Sequence, residues 1–158
     1  MSELISLKRI VFLVSGGGGT LIFMNEIIKE LNLQISIIEV IGDRDCNALL
    51  YAKNSIYNKK IKYNKDYNIE LKKELLELNP DFIITNFYKI LDKEIVSLFR
   101  NKLINLHYSL LPSFSGVIGM ETIVAAKFKN SKFIGTTAHL VDEIVDNGKI
   151  LSQSCFSV

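Results

Sequence analysis

Two stretches of this sequence carry polar side chains at spacings that could do chemistry. In Asn105-Leu106-His107 an amide and an imidazole stand two residues apart in a mostly apolar run. Side chains alternate along a strand, so both would project from one face and could meet one substrate. A hydrogen-bond donor then lies beside a group that titrates near neutrality. The same spacing fits a satisfied polar pair at a strand end, and spacing does not choose between the two. In the second stretch Asp142, Glu143 and Asp146 precede Asn147-Gly148. Locally this reads as a solvated loop in which Asp146 opens a turn through its own backbone hydrogen bonds. His139 sits in an apolar run and reads as a hydrogen-bonded core residue.

A third stretch offers backbone instead of side chains. Gly16, Gly17, Gly18, Gly19 and Thr20 follow Ser15 directly after an apolar run. If that run is a strand and a helix follows, backbone amides and the positive helix end can hold a phosphate. The glycines equally fit a tight βα turn with no ligand. No lysine follows them, which excludes an ATP-type phosphate loop. A dinucleotide reading would need an acid at the end of the second strand, where Asp43 and Asp45 are the candidates.

The elements that must position these residues follow from periodicity. Strand-like runs alternate with helical segments, which predicts α/β architecture: a Rossmann-like, doubly wound, mostly parallel sheet. Strands are expected at Arg9–Val14, Ile35–Ile41, Phe82–Thr85 and Leu103–His107, with a short edge strand over Lys59–Tyr63 whose lysines discourage edge pairing. A helix with Leu21, Met24, Ile27, Ile28 and Leu31 inward follows the glycines. Others are expected over Asn47–Asn54, Tyr67–Leu78, Asp92–Arg100 with Asp92 as N-cap, and Met120–Phe128. Phe133–Leu140 and Lys149–Phe156 flank Asp146-Asn147-Gly148 and should pair antiparallel, ending the sheet in a hairpin.

The 158 residues fit one domain spanning 1–158. With 48% hydrophobic and 23% charged residues the chain should fold. Nineteen basic against 17 acidic side chains leave a formal charge of +2, too balanced for a nucleic-acid-binding face. No run approaches a membrane span, and Lys8-Arg9 with Ile10–Val14 is too short for a signal peptide. Cys46 and Cys155 show no metal-ligand spacing and are expected as buried thiols in a reducing compartment, the cytoplasm. A homodimer is the assembly left open.

Taken in order, VSGGGG, NFYKIL, NLHYSLLP and VDEIVDNG resemble the folate-dependent formyltransferases, especially those acting on phosphoribosylglycinamide. The similarity runs from about Arg9 to Gln153, and NLHYSLLP is its most specific part. It implies formyl transfer from 10-formyltetrahydrofolate to a primary amine on a small, phosphate-bearing acceptor, without a metal. By this resemblance Asn105, His107 and Asp146 form the catalytic triad. Asn105 and His107 would stabilise the formyl oxygen, while Asp146 would hold the imidazolium and relay the amine's proton. Tyr88, Lys89, Ile90 and Leu91 would line the pteridine pocket, with Val141 and Asp142 closing its other side. Gly16–Thr20 would hold the acceptor's phosphate.

The chain departs from that pattern at four places. Gly19-Thr20 stands where the family has Ser-Asn, and Asn64-Lys65 where it offers an arginine. Phe114–Glu121 lacks the histidines often found there, and where the family usually continues into a further C-terminal helix the sequence given stops at Val158. These departures keep two alternatives in view: formylation of a nucleotide-linked amino-sugar, and an inactive folate- or nucleotide-binding module.

Overall fold

The computed structural model describes residues 6–54, 56–61 and 63–157. The chain divides into two compact units, Met1–Phe87 and Tyr88–Val158. The N-terminal unit contains β1 (Lys8–Val14), α1 (Gly19–Glu30), β2 (Ile35–Gly42), α2 (Asn47–Ala52), β3 (Asn58–Lys60), α3 (Tyr67–Leu78) and β4 (Phe82–Asn86). The C-terminal unit contains α4 (Lys93–Leu98), β5 (Leu103–His107), α5 (Glu121–Phe128), β6 (Phe133–Leu140) and β7 (Ile150–Ser157). The architecture is α/β with strands of mixed direction, as the periodicity predicts.

In the N-terminal unit β2 pairs parallel with both β1 and β3, and β1 pairs parallel with β4. Ile10 to Val14 are buried in succession, the continuous apolar run that a parallel strand covered on both faces requires. Leu71 and Leu75 of α3 are fully buried, each contributing roughly 1.5–3 kcal/mol of hydrophobic stabilisation. Register aligns Val14 with Gly42 and with Asn86, so β1, β2 and β4 end level. Their carboxyl end is where open α/β sheets bind ligands.

Three local expectations are corrected. Leu31 is exposed at the end of α1, and Asn25 takes the buried position, its Nδ2 donating to Tyr51 Oη at 2.7 Å. The edge strand covers only Asn58–Lys60; Lys59 and Lys60 pair with Glu74 and Asp45, while Lys62 lies outside the described residues. The cysteines are not buried: Cys46 is half-buried and Cys155 exposed. Cys155 lies on β7, all of whose residues are exposed, so a position inside a strand did not imply burial.

In the C-terminal unit β6 pairs antiparallel with both β5 and β7, the expected hairpin. Asp92 caps α4 as predicted, its carboxylate accepting from Glu94 N at 2.8 Å. No helix among the described residues is long and apolar enough to cross a membrane.

Candidate active site

Antiparallel pairing places Asn105 opposite His139 and His107 opposite Thr137. Directly opposed residues share a sheet face, so four polar side chains line one patch. Asn105 Nδ2 lies 3.3 Å from His139 Nε2. Asp146 reaches this patch from the turn before β7, with Oδ2 3.5 Å from His107 Nδ1 and Oδ1 3.6 Å from His139 Nε2. The side chains of His107, His139 and Asp146 are only 6, 3 and 8% exposed. The structure thus brings Asn105, His107 and Asp146 into one cluster, half-buried at Asn105, and adds His139 to it.

The backbone fixes this arrangement. Asp146 holds φ +55, in the left-handed region that a short polar residue tolerates better than a bulky one. Its Oδ2 also accepts from Gly116 N at 2.8 Å, tying the turn to the loop after β5. The self-capped turn considered for Asp146 is made instead by Asp142, whose Oδ1 accepts from Ile144 N at 2.9 Å. Gly148 is required here, because a Cβ would collide with the Leu140 carbonyl oxygen. That same oxygen lies 2.9 Å from His139 Nδ1.

His107 is surrounded by acceptors. Its Nε2 lies 3.2 Å from the Phe114 carbonyl, and its Nδ1 faces the Asp146 carboxylate. Only the imidazolium has an N–H for each.

The loop from Tyr108 to Gly116 is held to β6 by one hydroxyl. Thr137 Oγ1, fully buried, donates to Ser109 O at 2.7 Å and accepts from Leu111 N and from Gln153 Nε2, each at 3.0 Å. Gln153 of β7 also donates to Leu111 O at 3.0 Å. A cleft beside this loop is lined by Ser109, Leu110, Phe114, Ala126 and Gly135, and Phe114 and Ser109 link it to the cluster through His107 and Thr137.

The residues assigned to a pteridine by resemblance sit in the same unit. Tyr88, Lys89 and Ile90 are exposed, and Leu91, Val141 and Asp142 half-buried. Lys93 and Glu143 bridge the segments following each set at 3.8 Å, an exposed pair of little energetic weight.

The glycine loop lies in the N-terminal unit, between the end of β1 and α1 as expected. Gly18, with φ +81, forms the N-cap of α1, and a Cβ there would lie 2.8 Å from Ala48 Cβ. Ala48 N donates to Gly16 O at 3.1 Å, so the start of α2 backs the loop. Gly17 and Gly19 would meet nothing within 4 Å. Asp43 does not offer itself to a ribose: its side chain is buried, and Arg44 donates to both oxygens, at 3.1 and 2.8 Å. Burial, then the charge of Asp43, pushes the Tyr67 phenol above its ordinary range, so it remains neutral.

An α/β fold with an amide, an imidazole and a carboxylate gathered at β5, β6 and the turn before β7 agrees with the profile of the Formyl transferase family, which matches residues 8–158; the chain belongs to this family. It is 29% identical over 156 residues to the chloroplastic phosphoribosylglycinamide formyltransferase of Vigna unguiculata, covering 92% of this chain and 50% of that protein. It is 32% identical over 155 residues to the formyltetrahydrofolate deformylase of Bacillus subtilis, covering 93% and 50%. The solved structure of glycinamide ribonucleotide transformylase 1 from Symbiobacterium toebii matches with a TM-score of 0.87 at 26% identity, over 96% of this chain and 74% of that one. The chain spans about half the length of the curated relatives it matches.

Proposed function

We propose that this chain transfers a formyl group from 10-formyltetrahydrofolate to a primary amine, with glycinamide ribonucleotide of purine biosynthesis as the acceptor. The observation that carries this reading is the buried contact of His107 with Asp146, beside Asn105, in a member of the Formyl transferase family.

In the reaction the amine nitrogen bonds to the formyl carbon, and negative charge develops on the formyl oxygen. An Asn105 N–H and the His107 imidazolium stabilise that oxygen; one such donor is worth roughly 3–4 kcal/mol. Asp146 balances the charge on His107 and relays the proton that the amine loses. The bond to folate N10 then breaks, N10 takes a proton, and tetrahydrofolate leaves. Tyr88, Lys89, Ile90 and Leu91, with Val141 and Asp142, offer the pteridine a partly apolar surface, and Gly16–Thr20 hold the acceptor's phosphate through backbone amides. We place the protein in the cytoplasm, a reducing compartment that its two free cysteines suit.

The deformylase relative, at 32% identity, favours a second reading in which water replaces the amine. Mass spectrometry separates the two. The protein is incubated with 10-formyltetrahydrofolate and glycinamide ribonucleotide, a nucleotide-linked amino-sugar, or no amine. Formylated glycinamide ribonucleotide supports the first reading, and formate released at the same rate without amine supports the second. Folate binding without either product would leave an inactive binding module.

A further inference from the structure

We propose that His139 is a positioning residue that fixes which end of the Asn105 amide is presented to the reacting formyl oxygen. The inference rests on the formyl-transfer reading above and deepens it. His139 is 2% exposed and stands directly across the β5–β6 ladder from Asn105. Its Nδ1 lies 2.9 Å from the Leu140 carbonyl, which can only accept, so Nδ1 carries a proton. In the neutral ring Nε2 then holds a lone pair, and 3.3 Å away stands Asn105 Nδ2.

That pairing selects an amide orientation. An asparagine side chain can present either its NH2 or its Oδ1 in one direction, and its hydrogen-bond partners decide which. With Nε2 as acceptor, the NH2 end is turned toward His139. Because the amide is planar, the direction of its second N–H is fixed as well. A rotated amide would set Oδ1 against the developing oxyanion and repel it. Asp146 Oδ1, 3.6 Å from the same Nε2, sets the opposing condition: a proton on Nε2 would turn toward the carboxylate and displace the Asn105 donor. His139 thus acts through Asn105 and need not touch substrate. Gly148 leaves room for that carbonyl, since a Cβ there would collide with its oxygen.

Two measurements test this. In the first, 15N NMR of the intact wild-type chain reads the His139 ring. A protonated Nδ1 and a lone-pair Nε2 are expected, and a neutral ring protonated on Nε2 overturns the proposal. In the second, His139→Leu removes the acceptor and His139→Gln restores one through its amide oxygen. For the Leu variant kcat should fall about 100-fold with the KM for folate nearly unchanged, and Gln should recover part of the loss. Wild-type kcat in the Leu variant, or equal losses in both, overturns it. If no form of the chain transfers a formyl group, the reading of function falls, and the ring measurement alone decides this inference.

Discussion

The two units build their candidate binding features from different materials. The N-terminal unit offers backbone: a glycine loop at the level carboxyl end of parallel strands, with Gly17 and Gly19 facing open space. The C-terminal unit offers side chains: Asn105, His107, His139 and Asp146, each held by a cross-strand partner or a turn. A backbone feature needs only the right turn, and many residues could frame it. A side-chain cluster needs register, turn and loop to agree, so it should tolerate substitution far less.

The largest expected effect is at His107. His107→Ala should lower formyl transfer about 1000-fold with folate binding retained, measured by product mass spectrometry beside calorimetric titration; full turnover would refute the roles given to the cluster. Next comes Gly148→Ala, where the new Cβ must displace the Leu140 carbonyl. A loss of about 3 kcal/mol in urea unfolding is expected. Thr137→Val keeps shape but leaves the buried Leu111 N–H without its partner, and about 2 kcal/mol should be lost in the same assay. The smallest contrast lies within the glycine loop. Gly18→Ala should cost about 1–2 kcal/mol for its left-handed backbone, whereas Gly17→Ala should stay within about 0.5 kcal/mol of wild type. Equal losses at both positions would mean the loop is packed throughout, which would erase the contrast between the units.

Local pattern made much of this legible. Helix α3 and strands β5 and β6 lie where the apolar periodicity puts them, because a helix face or a pleat repeats within a few residues. Asp92 announced its cap by type and position. Asn105 and His107 share a face because of a period-two rule that needs no tertiary knowledge. His139 reads as a core residue, and it is indeed buried and hydrogen-bonded, but beside the Leu140 carbonyl it also meets Asn105 and Asp146. The signal was the spacing of Thr137 and His139, the same two-residue step as Asn105 and His107. Using it requires the register between two strands separated by a loop and a helix, which no local pattern supplies. The place of Asp146 beside His107 lies beyond local pattern in the same way, and only the family resemblance singled it out: the local rules for acids in turns describe what Asp142 does.

The clamp at Thr137 also bears on the order in which the site comes into being. Asn105 and His107 leave the ribosome well before the groups that hold them. Leu111 waits for a hydroxyl 26 residues later and for an amide 42 residues later, on Gln153. Chains stalled before β7 would therefore lack the Gln153 amide that holds the Leu111 carbonyl.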